Sequence, residues 1–195
     1  MRDTSVNFER ELPAGYTEVF SIDAKGKKTG ILLNLAALAI GAAVFGVCWY
    51  FIRPAGYLMN YSIARELLLL AVMFAYLVLH ELVHGAAYKL LTGEKLKFGV
   101  SLTAAWCGVP DIFVYRKTAL ISLLAPFTVF NIVFILLTVF LNDPWYKIDA
   151  ALMLALHVGG CAGDLYDTFL YLFRLKDPAI LMRDTGPKQT FYCKF

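Results

Sequence analysis

His80-Glu81-Leu82-Val83-His84 is the stretch whose reading decides this chain. It lies inside the apolar run from Leu67 to Leu91, which is long enough to cross a bilayer as a helix. Residues four apart fall one turn apart on one helix face, so both imidazoles can reach a single metal ion. Glu81 is rotated about 100° from His80, within reach of a water held by that metal. Two nitrogen ligands, one general base and an open coordination position make the zincin arrangement. Ionisable groups at bilayer depth are costly unless they find partners, which argues against three chance polar residues here.

The composition around the motif is that of a membrane protein. Of 195 residues 59% are hydrophobic and 17% charged, and the apolar residues are gathered in long runs. The net charge of +3 is spread over several loops, so no basic face suited to nucleic acid is built. Cys48, Cys107, Cys161 and Cys193 lie far apart with no CxxC spacing, which excludes a zinc knuckle or a disulfide framework. The length fits one domain.

Working outward, four spans are expected, at 31–52, 66–91, 118–141 and 148–173. The first is uncharged and is stopped by Arg53-Pro54; its Ala37/Gly41 and Ala42/Gly46 pairs suit close helix packing. No cleavable signal is visible, so this helix is expected to be retained. The second carries the motif and ends at Thr92-Gly93. Pro126 is expected to kink the third, which also holds Asn131. Asn131 could contact substrate, although such a side chain more often bonds within a helix bundle. The fourth is unusually polar, with His157, Gly159, Gly160, Gly163, Asp164 and Asp167, and its Gly159/Gly163 pair is expected to let another helix approach closely. Residues 94–117 alternate around Lys95–Phe98 and Ile112–Tyr115, with a turn at Gly108-Val109-Pro110, and read as a β-hairpin or a pair of short strands. Such strands either pair with an extended substrate or cover the bundle. Residues 1–30 form an N-terminal segment with one possible strand, Thr17–Ile22, and 174–195 a charged tail. The fold class is therefore an α-helical integral membrane protein, a four-helix bundle with a small hairpin between helices 2 and 3.

Charge asymmetry sets the orientation. Fifteen of the 18 Lys and Arg residues fall on the side of the two termini, and only Arg53, Arg65 and Lys147 on the other. Both termini are expected to be cytoplasmic. Depth then follows at 1.5 Å per residue: His80 and His84 lie roughly 16 and 10 Å inside, Asp164 roughly 15 Å and Asp167 roughly 10 Å, but His157 roughly 25 Å. The third ligand is thus expected in the fourth span, Asp164 before Asp167, with Asp167 otherwise orienting a ligand. His157 shares a helical face with Asp164 and could support a ligand or contact substrate, although it reads first as a hydrogen-bonded packing histidine. Zinc suits a set of two imidazoles and a carboxylate.

The chain resembles a bacterial family catalogued as a domain of unknown function and described as zincin peptidases. The points of likeness are Leu12-Pro13-Ala14-Gly15-Tyr16, His80–Gly85, Leu124-Ala125-Pro126-Phe127, Gly163-Asp164-Leu165 and Asp184-Thr185-Gly186. Its layout is also similar to the site-2 protease class, which pairs a membrane-embedded HExxH with a downstream aspartate. That resemblance implies His80, His84 and Asp164 as zinc ligands and Glu81 as the base. Gly163-Asp164-Leu165 departs from the Leu-Asp-Gly order of that class. Two functions follow as expectations: a zinc endopeptidase acting on peptides or membrane proteins in a bacterial cell membrane, or a non-catalytic zinc-stabilised module that binds a partner. The substrate and the oligomeric state are not legible.

Overall fold

The computed structural model describes residues 7–52, 62–100 and 105–194. Five helices follow in order: α1 (Lys27–Ile52), α2 (Ile63–Thr92), α3 (Arg116–Phe140), α4 (Pro144–Gly160) and α5 (Ala162–Phe173). Seven strands join them: β1 (Phe8–Glu9), β2 (Tyr16–Asp23), β3 (Lys97–Val100), β4 (Ala105–Gly108), β5 (Phe113–Tyr115), β6 (Leu181–Asp184) and β7 (Lys188–Lys194). Three helices, α1, α2 and α3, are long and apolar enough to cross a membrane, and α4 with α5 makes a fourth if counted as one broken span. Their outward residues are large and apolar, with Leu32, Leu38, Phe51, Leu67, Phe74 and Phe140 all more than half exposed. A face of that kind belongs against lipid.

The chain divides into two units. The first combines residues 1–32, 80–126 and 163–195. It contains an antiparallel sheet in the order β1-β5-β6-β7-β2. Its core gathers Tyr88 of α2, Val114 of β5, Leu123 of α3, Tyr171 of α5 and Phe191 of β7, each 3% exposed or less. Local chemistry closes the β6–β7 hairpin: Gly186 adopts φ +92°, which suits glycine, and donates its N–H to the Asp184 side chain at 2.8 Å. Arg116 opens α3 and donates to the Tyr171 and Leu175 carbonyls, tying down the end of α5.

The second unit holds residues 33–79 and 127–162. Gly41 and Gly159 let α1 and α4 approach closely. A Cβ at Gly159 would collide with the Ala37 carbonyl, and one at Gly41 would lie 3.1 Å from the Ala155 carbonyl. Asp143 caps α4 by accepting from the Trp145 and Tyr146 N–H groups, with Pro144 in the first turn. Arg65 is clamped by Glu66 at 3.1 Å, Asp149 at 3.3 Å and the Trp145 ring at 4.3 Å.

Several expectations are corrected. The fourth span is two helices broken at Cys161, because Gly159, Gly160 and Gly163 crowd that point and glycine weakens a helix interior. Gly163 and Gly46 serve no close packing, since a Cβ at either would meet open space. The hairpin exists, but β3 pairs with β4 rather than with Ile112–Tyr115. The β-branched and aromatic β5 instead buries Val114 completely between β1 and β6. The possible strand at Thr17–Ile22 is present as β2, while β1 and the β6–β7 hairpin of the charged tail add three further strands to the larger sheet. The stop at Arg53-Pro54 lies outside the described residues.

Candidate metal centre

α2 sets His80 and His84 on one face with ring centroids 5.0 Å apart. Asp164 meets them from the first turn of α5: its Oδ2 is 3.7 Å from His80 Nε2 and 3.3 Å from His84 Nε2. The three ligand atoms all lie within 4.8 Å of one another. Two atoms on one tetrahedral zinc, each about 2.1 Å from it, sit about 3.4 Å apart, so the set fits the ion in both donor type and spacing. Both histidines are buried. His84 Nδ1 is 2.8 Å from the Ser122 carbonyl oxygen, which can only accept. Nδ1 therefore carries a proton, which leaves Nε2, on the side of Asp164, as the nitrogen a metal can take.

Glu81, one residue round the helix, is partly buried beside this group and interacts with His84, His80 and Asp164. It also accepts the backbone N–H of Cys107 in β4. The hairpin reaches this point because residue 85 is glycine. A Cβ there would lie 2.8 Å from the Phe98 ring, 3.1 Å from Leu96 and 3.3 Å from Cys107 Sγ. Gly85 thus admits β3 and β4 against the helix turn that carries the motif. Burial pushes the Cys107 thiol up to about 12, helped by the Asp184 and Glu81 charges, so it is neither thiolate nor ligand at neutral pH.

A second layer of polar groups stands behind the ligands. Tyr88, one turn beyond His84 and 1% exposed, donates its hydroxyl to Asp184 Oδ2 at 2.7 Å. Burial pushes the Asp184 carboxyl up to about 6, against the pull of the Tyr88 and Gly186 hydrogen bonds. Asp167 is buried on α5, and its Oδ1 has no hydrogen-bond partner; the Tyr171 hydroxyl has none either.

The residues singled out from sequence therefore separate. His80, Glu81, His84 and Asp164 share the first unit, with Asp167 nearby but outside the ligand group. Asn131 and His157 belong to the second unit. Asn131 donates to the Phe127 carbonyl at 2.7 Å, a bond within its own helix. His157 is fully buried among Tyr76, Phe127, Phe130 and Phe134. Sequence reasoning missed Tyr88, Ser122 and Cys107. Tyr88 alone carried a signal, the i+4 continuation of the histidine face.

Residues 73–179, more than half of the chain, match a family model described as "Putative zincin peptidase". The chain belongs to this family. The matched stretch runs from the motif helix through α5, so it contains every candidate ligand and the Glu81 position. A zincin family implies a metal, and the buried His80/His84/Asp164 group is where this member can hold one. No curated protein and no solved structure matches the chain.

Proposed function

We propose that the protein is a zinc-dependent endopeptidase that hydrolyses peptide bonds within or next to a membrane. The observation that carries this reading is the convergence of His80 Nε2, His84 Nε2 and Asp164 Oδ2 beside the Glu81 carboxylate. Zinc held by those three atoms would supply Lewis acidity and make a water acidic enough to lose a proton near neutral pH. Glu81 would serve as the general base that takes a proton from water and as the acid that gives it to the departing amine. Asp164 would balance the charge of the ion, and the Ser122 carbonyl holds the His84 ring through Nδ1, leaving Nε2 on the side of Asp164.

Strand β4 offers a place for the substrate. Cys107 is opposite Phe98 in the antiparallel ladder, and its backbone lies beside the Glu81 carboxylate. An extended peptide that paired with this edge would lay its backbone along the carboxylate. The Lys and Arg distribution supports both termini on the cytoplasmic side of a bacterial cell membrane, with the site reached from that face.

The test is metal content and cleavage in the Glu81→Gln variant. Purified full-length protein is expected to hold one zinc per chain, and the variant to keep it. Cleavage of a processed membrane substrate should fall roughly 10²–10⁴-fold. Equal cleavage by the variant would sink the mechanism. One zinc per chain with no cleavage by the wild type would favour a non-catalytic zinc module.

A further inference from the structure

Pro126 sits inside α3, Arg116–Phe140, and the helix runs on through it. A proline has no backbone N–H, and its ring crowds the carbonyl four residues earlier. In α3 that carbonyl belongs to Ser122. Ser122 is 0% exposed, so water cannot replace the missing donor, and an orphaned buried acceptor is costly. The donor present is His84, whose Nδ1 lies 2.8 Å from the Ser122 oxygen. The other ring nitrogen of His84 is the atom 3.3 Å from Asp164 Oδ2.

We infer that Pro126 is a positioning residue for the metal centre: by taking an N–H out of α3 it hands the Ser122 carbonyl to His84, and so fixes that ring with Nε2 toward Asp164. The inference rests on the zinc-site reading for the identity of the ion, but the hydrogen bond itself stands without it. Any other residue at 126 would offer its own N–H to the Ser122 oxygen and draw the carbonyl back along the helix axis. The His84 ring would then be held less firmly, in a mixture of tautomers. If Pro126 served packing alone, its loss would lower stability and metal affinity together. If it serves His84, the two move apart.

The experiment compares wild type, Pro126→Ala and Ser122→Ala as full-length proteins in detergent micelles. Zinc affinity is read by competition with a chelator, and histidine tautomers by nitrogen-15 NMR of the metal-free proteins, where three histidines give a resolvable spectrum. Pro126→Ala is expected to weaken zinc binding roughly 10–100-fold, the usual effect of removing a ligand's support. Its metal-free melting temperature should hold or rise, because alanine suits a helix interior better than proline. The His84 Nδ1 signal should move from fully protonated toward a mixture. Ser122→Ala keeps the carbonyl and loses only a hydroxyl that has no partner, so its zinc affinity should match wild type. Unchanged zinc affinity in Pro126→Ala, or a wild-type His84 with no proton on Nδ1, overturns the inference. Should the alanine variant not fold, Pro126→Gly restores the same N–H without a side chain. A wild type that binds no zinc would remove the proposed function, while the tautomer comparison would still decide the role of Pro126.

Discussion

His84 and His157 are both buried histidines in apolar helices, and their surroundings differ in one respect. At His157 both ring nitrogens are used by neutral partners. Nε2 faces the Phe127 carbonyl at 3.3 Å and Nδ1 the Tyr76 hydroxyl at 2.8 Å, inside a cage of aromatic rings. Donors and acceptors there match. At His84 only Nδ1 is spent on a carbonyl, and Nε2 looks across at a carboxylate with a second imidazole beside it. Around this site four carboxyl groups gather, Glu81, Asp164, Asp167 and Asp184, and the Asp167 Oδ1 is left without a hydrogen bond. Burial does not mark a metal ligand. A nitrogen left over, facing an excess of negative charge, does.

The sharpest way to break this contrast is to delete each ring in turn. His84→Ala should take the purified protein from one zinc per chain to none, because two ligands of this set cannot hold the ion against a chelator. His157→Ala should leave the stoichiometry at one. Elemental analysis of both variants decides it, and zinc lost from His157→Ala but kept in His84→Ala would reverse the assignment.

The Asp184 carboxyl tests the charge excess through pH. Its folded-state value, about 6, stands above its ordinary 3.8, so the folded protein holds this proton more tightly than the unfolded chain does. The stability it contributes is complete below about pH 4 and is lost as pH rises to about 6. Relative to Asp184→Asn, which does not titrate, the metal-free wild type should lose about 3 kcal/mol across that interval and stay flat above it. Denaturant unfolding of both proteins in micelles gives the difference curve. A level curve would mean that the carboxyl is matched as well as His157 is.

How much of this was legible in the sequence follows from range. His80, Glu81 and His84 are one helix turn, so spacing alone placed them. Asp164 came from comparing depths in two apolar runs, and its Oδ2 does lie 3.7 and 3.3 Å from the two imidazoles. The large sheet was not legible. Its strands come from both ends of the chain and from the α2–α3 connection, and β2 keeps five consecutive exposed residues that hide any alternation. The break at Cys161 hid behind glycines that also had a packing reading, correct for Gly159 alone. Ser122 was invisible because it acts through its backbone, which no residue type announces.

The matched side of the contrast has its own test. His157→Phe keeps an aromatic ring in the cage but removes the nitrogen bonded to the Tyr76 hydroxyl at 2.8 Å, and should cost about 1–3 kcal/mol with zinc unaffected. Adding Tyr76→Phe removes the other partner of that bond and should recover much of that loss, since replacing both partners by apolar groups can be nearly neutral. Failure of the double variant to recover would show that the Phe127 carbonyl, not Tyr76, is the partner that counts.

The smallest effect is expected at Asp167. Its Oδ1 is buried with no hydrogen bond, and the charges of Asp164 and Asp184 both act on it. Asp167→Asn keeps the shape and takes one carboxyl out of the crowd. The variant should be as stable as wild type or more stable by about 1 kcal/mol, because an unpaired buried acid contributes cost rather than support. Zinc should remain at one per chain, as the ligand group does not include this residue. Zinc loss in Asp167→Asn together with zinc kept in Asp164→Asn would move the third ligand one turn along α5 and break the assignment on which the contrast with His157 stands.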